Sequence, residues 1–198
     1  GGARGGWGYG WGSCCAGRRW QERALRAGDG RRRQVGLGAG AAVGLRSFAA
    51  QQDGALIGPV STFANAPAMV GAIQTALNGA TPSTLIIGSL GRVGTGAADL
   101  CTALELPVTK WDMAETASGG PFPQVLAHDV FLNCILARDG TPVFVPASAK
   151  TAERTLRVIG DIACDPQSDF SPIKVYDRET DWDAPAIRVH DTPPLDVM

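Results

Sequence analysis

From Gly36 onward, apolar positions fall alternately into short continuous runs and helical stripes. Thr84-Leu85-Ile86-Ile87 is a compact run rich in β-branched residues, the mark of a buried strand. Ala97, Ala98, Leu100, Cys101, Ala103 and Leu104 recur at helical spacing and predict a helix over 97–106. A second short strand follows from Val108 and stops at Asp112. Apolar runs over 129–136 and 157–163 predict two more strands. Upstream, residues 69, 70, 73 and 77 mark one face of a helix over 66–77, with Pro67 in its first turn and Asn78-Gly79 as its stop. Residues 39–51 are rich in small side chains and predict a helix packed closely on a neighbour.

Weaker patterns fill the gaps. Residues 125–127 suggest one helical turn, 147–156 a modest helix, and 174–176 and 186–189 short strands. Residues 113–124 read as loop, too broken by Gly119, Gly120, Pro121 and Pro123 for a full helix, and 164–172 form a polar loop. Pro193-Pro194 is expected to break the chain. The order is that of an α/β fold, a Rossmann-like, mostly parallel sheet. The segment 113–128 is too short for a complete helix–strand–helix, so the usual third strand is expected to be missing. Ligands of such sheets sit beyond the carboxyl ends of the strands. That places 88–94, 112–116, 133–136 and 162–165 around one crevice.

The connection after the first strand carries the chemistry. Gly88, Gly91, Gly94 and Gly96 lie within nine residues and make a turn too tight for side chains. Strand, glycines, helix, strand and acid form the order of a dinucleotide-binding βαβ unit. Bare backbone approaches the diphosphate, a helix N-terminus offers N–H groups to it, and Asp112 accepts hydrogen bonds from a ribose diol. A single acid there suits NAD over NADP, because it repels a 2′-phosphate. The spacing is G-x-x-G-x-x-G instead of G-x-G-x-x-G, and the rival reading is a βα turn without a ligand. Gly36, Gly38 and Gly40 also resemble a phosphate loop, but no strand precedes them.

Composition narrows the picture. A net charge of −1 gives no overall electrostatic case for nucleic acid or membrane partners. No apolar run approaches the roughly 20 residues of a membrane helix. The five cysteines, Cys14, Cys15, Cys101, Cys134 and Cys164, form no C-x-x-C pair, so neither a metal site nor a disulfide framework is indicated. A reducing compartment, the cytoplasm, is expected. Residues 1–35 differ from the rest in their Gly, Arg, Ala and Trp content and can bury little. They read as a basic arm for single-stranded nucleic acid, an unstructured tail or an out-of-frame translation, with the last two favoured. A short helix is suggested over 20–27. The chain is expected to be incomplete at both ends, with 36–198 as a nucleotide-binding domain.

Several words in the sequence are more specific than a generic dinucleotide fold. They are Ile86-Ile87-Gly88-Ser89-Leu90-Gly91-Arg92-Val93-Gly94-Thr95-Gly96-Ala97, Lys110-Trp111-Asp112, Glu115-Thr116, Gly119-Gly120-Pro121-Phe122, Phe131-Leu132-Asn133-Cys134-Ile135 and Asp161-Ile162-Ala163-Cys164-Asp165. Together they resemble the NAD-dependent, lysine-forming saccharopine dehydrogenases of the fungal type, and the altered glycine spacing fits that family. The resemblance implies two Rossmann-like domains and oxidative deamination of saccharopine to lysine and 2-oxoglutarate, with NAD as cofactor. It places Gly91 and Arg92 at the cofactor phosphates, Asp112 at the adenosine ribose with Thr116 nearby, and Leu136 and Ile162 along the cofactor cleft. Ala163, Cys164 and Asp165 would face the substrate. The family often has Cys where this chain has Val93, able to pair with the counterpart of Cys134, so that disulfide cannot form here. The catalytic Lys and His and the substrate-binding arginines of the family lie in an N-terminal domain that nothing here matches. Gly30-Arg31-Arg32 echoes a G-R-R word of the family, but the residues after it do not align.

No catalytic residue is therefore assigned. His128 and His190 lack partners that would make either a general base. Cys134 and Cys164 are expected to pack, and Asp161 or Asp165 to cap a turn or touch substrate. A methyltransferase using S-adenosylmethionine and a non-catalytic nucleotide-binding module stay open beside the dehydrogenase. Oligomeric state is not indicated.

Overall fold

The computed structural model describes residues 30–163 and 166–198, with side chains from residue 38 onward. The readings made for 1–29, including the helix over 20–27, lie outside the described residues, as do Cys164 and Asp165.

A six-stranded sheet forms the centre, in the order β2-β1-β3-β4-β6-β5. Its strands are β1 (Thr84–Ile87), β2 (Val108–Trp111), β3 (Val130–Asn133), β4 (Val158–Asp161), β5 (Ile187–Asp191) and β6 (Pro194–Val197). All neighbours pair in parallel except β5 and β6, which form an antiparallel hairpin. β3 lies directly beside β1, so the third strand of the usual fold is absent among the described residues. β1, β3 and β4 are buried on both faces, which explains their unbroken apolar runs.

Three helices cover one face: α1 (Gly30–Gln52), α2 (Ala66–Leu77) and α3 (Arg92–Ala103). The start of α2 is set by Asn65, whose Oδ1 accepts the Ala68 N–H at 2.9 Å, and by Pro67 in the first turn. Its end is set by Asn78 in the left-handed region, φ 47°. Met69, Ile73 and Leu77 are its buried stripe. α1 carries the small residues that let helices touch: a Cβ on Gly38 would sit 3.3 Å from the Met69 methyl and 3.4 Å from the Gly96 carbonyl of α3. The opposite face is covered by the one-turn helix α5 (Pro123–Leu126), a 3-10 turn at Ala147–Lys150, and the segment through Tyr176, while the one-turn helix α4 (Met113–Thr116) follows β2 and has no buried residue.

Five sequence readings need correction. The helix expected from residue 97 begins at Arg92, because Gly94 and Gly96 sit inside it as close-packing positions and do not delay it. The loop after Asp112 opens with α4, nucleated by a capping box between Asp112 and Glu115. The helix over 147–156 is a single 3-10 turn. Arg154 donates to the carbonyls of Ala149 and Lys150, so they need no continuing helix. Residues 174–176 form no strand; a lone parallel bridge joins Val145 to Ile173. Pro193-Pro194 does not end the order: the chain turns there, and Pro194 opens β6, a strand-start position where the missing N–H costs nothing.

Candidate functional site

β1 delivers the glycine turn to the carboxyl edge of the sheet. Gly88 adopts φ +86°, and a Cβ there would lie 2.7 Å from the Ile135 methyl and 3.0 Å from the Cys134 carbonyl carbon. Only glycine fits this position. The N–H groups of Gly88 and Ser89 both donate to the Trp111 carbonyl, at 3.0 and 3.1 Å, so the turn is tied to the end of β2. A Cβ on Gly94 would overlap the Gly88 carbonyl oxygen and come 2.7 Å from the Ser89 Cα. Gly94 thus lets the first turn of α3 lie directly on the loop. Gly91 caps α3 without a side-chain hydrogen bond, leaving the positive end of the helix dipole uncapped by any acceptor side chain.

Asp112 faces this loop. Its Oδ2 accepts the Leu90 N–H at 3.0 Å and its Oδ1 the Met113 N–H at 3.0 Å. In return, its own N–H donates to Glu115 Oε2 at 2.7 Å, and its carbonyl accepts the Thr116 hydroxyl at 3.0 Å. An ionised carboxylate offers about four acceptor sites. Three are used here, by the N–H groups of Leu90, Met113 and, through the capping box, Glu115, so the carboxylate keeps capacity for one ligand hydroxyl. The half-buried side chain is fixed in place yet reachable.

Between loop and acid opens a cleft of about 690 Å³. Gly88, Gly91, Asp112, Thr116 and Leu136 all line it, five of the residues expected there from sequence. Met113 and Leu136 present exposed apolar side chains at its rim, and Arg138 stands on its far wall. Phe144 lines it, and behind Phe144 runs a row of edge-to-face aromatics, Phe144 on Phe122 and Phe122 on Trp111, with centroids 5.8 and 6.0 Å apart. Gly120 serves that row: a Cβ there would press on the Val143 carbonyl at 3.0 Å. Arg92 is exposed at the start of α3, outside the lining, and Gly94 is buried beneath the loop. Ile162 packs against α1, where a Cβ on Gly40 would collide with its side chain at 2.8 Å. Ala163 is half-buried on the turn beyond β4.

One group was not legible as a unit. Asn133 ends β3 and Asp161 ends β4, and both are buried. Asn133 Nδ2 donates to Asp161 Oδ1 at 2.8 Å, and the Tyr176 hydroxyl donates to Asp161 Oδ2 at 2.7 Å. Asp161 therefore neither caps a surface turn nor stands open to a substrate. The available signal was a polar residue closing an otherwise apolar strand, at both positions.

Burial pushes the Cys134 thiol up to about 12, with repulsion from Cys101 and Asp161 adding to it. Burial likewise raises Cys101 to about 11 against a lowering hydrogen bond with Thr84. Neither histidine lines the cleft. His128 bridges the Thr109 hydroxyl and the Gln124 carbonyl at 2.8 and 2.7 Å, and His190 lies against the Pro193 carbonyl at 3.0 Å.

The chain is 36% identical over 167 residues to the lysine-forming, NAD(+) saccharopine dehydrogenase of Yarrowia lipolytica, covering 78% of this chain. The Neurospora crassa enzyme of the same name matches at 34% over 174 residues, 81% of the chain, and that of Schizosaccharomyces pombe at 38% over 128 residues, 61% of the chain. The chain is related to the lysine-forming saccharopine dehydrogenases. It spans less than half the length of these relatives: 45%, 47% and 35% in the same order. No protein-family profile matches it.

Proposed function

We propose that residues 36–198 form the cofactor-binding part of an NAD-dependent saccharopine dehydrogenase of lysine metabolism. The observation that carries this is the Asp112 carboxylate held 3.0 Å from the Leu90 N–H, across a loop whose Gly88 and Gly94 leave no room for a Cβ. These residues fit a dinucleotide. Gly88, Gly91 and the N-terminus of α3, with Arg92 beside it, would hold the diphosphate. Asp112 would hold the adenosine ribose with Thr116 supporting its backbone. Met113 and Leu136 would flank the adenine, while Ile162 and the turn through Ala163, Cys164 and Asp165 would meet the nicotinamide and substrate.

When bound, NAD accepts hydride from the substrate carbon that bears the amine. What this chain would contribute is binding and orientation. Among the described residues no histidine lines the cleft, and no acid–base group for saccharopine, or for lysine and 2-oxoglutarate, is assigned to this chain. The compartment that suits the buried, unpaired thiols is the cytoplasm.

Calorimetric titration with NAD+ and AMP tests the reading. Both should bind, without steady NADH formation when saccharopine is added. Asp112→Asn keeps the cap on α4 but loses the charge, and should weaken both ligands roughly tenfold, since a hydrogen bond to a charged group is worth about 1.5–3 kcal/mol. Stabilisation by S-adenosylmethionine but not by NADH in a thermal-shift assay would replace it with the methyltransferase reading. Binding of neither would overturn both.

A further inference from the structure

We propose that Arg138, on the turn that follows β3, pairs with the diphosphate of the bound dinucleotide from the wall of the cleft that faces the glycine loop. The inference rests on the cofactor reading above and concerns a residue that reading leaves unused.

Placement comes from the way the chain leaves β3. β3 pairs in parallel with β1, with Asn133 level with Ile87. The next N–H, that of Cys134, donates to the Ile87 carbonyl at 2.9 Å. The chain therefore leaves the sheet alongside the glycine turn, so close that a Cβ on Gly88 would lie 2.7 Å from the Ile135 methyl. Arg138 follows three residues after Ile135, at most about 11 Å of extended backbone. Gly88, Gly91, Ile135 and Arg138 all line the same cleft.

The turn holds Arg138 in place and leaves its side chain unengaged. The Arg138 N–H donates to the Thr141 hydroxyl oxygen at 3.0 Å, and the Thr141 N–H donates back to the Arg138 carbonyl at 3.0 Å. Gly140 takes the left-handed φ of +80° between them. Among the described residues the guanidinium itself makes no hydrogen bond and no ion pair. Its five donors, set in a planar fork, match pairs of phosphate oxygens.

Charge selects the anion. Asp112, Arg138 and Asp139 are the charged side chains among the described residues that line the cleft. The two carboxylates oppose an entering diphosphate, and Arg138 is the lining cation that offsets them. Arg92 stands outside the lining. The N-terminus of α3 meets the diphosphate from the loop side, and the guanidinium meets it from the other. A 2′-phosphate beside Asp112 would be repelled, which leaves the diphosphate as the anion for Arg138.

The test is calorimetric titration of the full 198-residue chain with ADP, NAD+ and NADP+. The Arg138 side chain takes no part in the hydrogen bonds of the turn, so its variants keep the fold. Arg138→Gln should weaken ADP and NAD+ about fivefold, the upper end for a largely exposed ion pair. Arg138→Lys keeps the charge and should recover most of the loss. The loss in Arg138→Gln should disappear at about 1 M salt, where the screening length falls to about 3 Å. A change below about twofold in Arg138→Gln, small even for an exposed pair, overturns the proposal; the cofactor reading stands if the parent binds ADP and NAD+. A loss that persists at high salt, or that Arg138→Lys does not recover, also overturns it, because a guanidinium stacked on the adenine face behaves in that way. Tighter binding of NADP+ than of NAD+ by the parent, lost in Arg138→Gln, overturns it in favour of a 2′-phosphate. A parent that binds none of the three ligands overturns both readings.

Discussion

Gly94 shows how much one missing methyl group can carry. It lies inside α3, where glycine ordinarily costs about 1 kcal/mol against alanine. Here alanine would drive its Cβ into the Gly88 carbonyl, and backbone on both sides leaves nothing to give way. Gly94→Ala should destabilise the chain by about 1–3 kcal/mol, the usual range for overpacking. It should also lower NAD+ affinity at least tenfold, read by thermal unfolding and calorimetry. At the same scale, the thiols of Cys101 and Cys134 are raised to about 11 and 12. Each is a thiolate in roughly one molecule per thousand or fewer at pH 8, so neither attacks an alkylating reagent at an appreciable rate. Peptide mapping after iodoacetamide at pH 8 should find both unmodified in the native chain and both modified in denaturant. Sequence alone reached Asp112 because an acid closing a strand after a glycine turn is a local pattern. It did not join Asn133, Asp161 and Tyr176, because their meeting depends on which strands become neighbours and on a chain segment 15 residues further on that returns to them.

Among the elements, those with complete local signals were read from the sequence and those fixed by distant contacts were not. α2 has its cap, its proline, its stripe and its stop within 65–78, and it forms where expected. The stretch after Pro146 has helical composition, but Arg154 captures its carbonyls and ends it after one turn. The same guanidinium crosses to the turn of the β5–β6 hairpin, donating to the carbonyls of Leu156, Pro193 and Pro194. One arginine thus ties the segment before β4 to the hairpin beside it. No periodicity announces a strand that opens on proline, which is why β6 was missed. Arg154→Ala should cost about 2–4 kcal/mol by stranding half-buried carbonyls. Hydrogen exchange should show protection lost in β5 and β6 while β1 and β3 keep theirs.

At the scale of the whole molecule, the direct pairing of β3 with β1 has two effects. It brings the carboxyl ends of four parallel strands to one edge of the sheet, and it leaves β2 as an edge strand among the described residues. Edge strands invite pairing with other chains, and an exposed charge is a common guard. Lys110, exposed in the middle of β2, is placed for that role. Lys110→Val should leave the fold intact and raise concentration-dependent association, measured by light scattering against the parent chain. The fold class was legible because alternating strand and helix patterns leave few topologies, and the shortness of 113–128 removed one strand from them. α1 has the further consequence. It is a single rod that touches α3 behind the glycine loop, and through Gly40 it meets Ile162 just past the end of β4. A rod that touches both places sets their separation like the beam of a caliper. The glycine loop and the end of β4 therefore keep one fixed gauge between them.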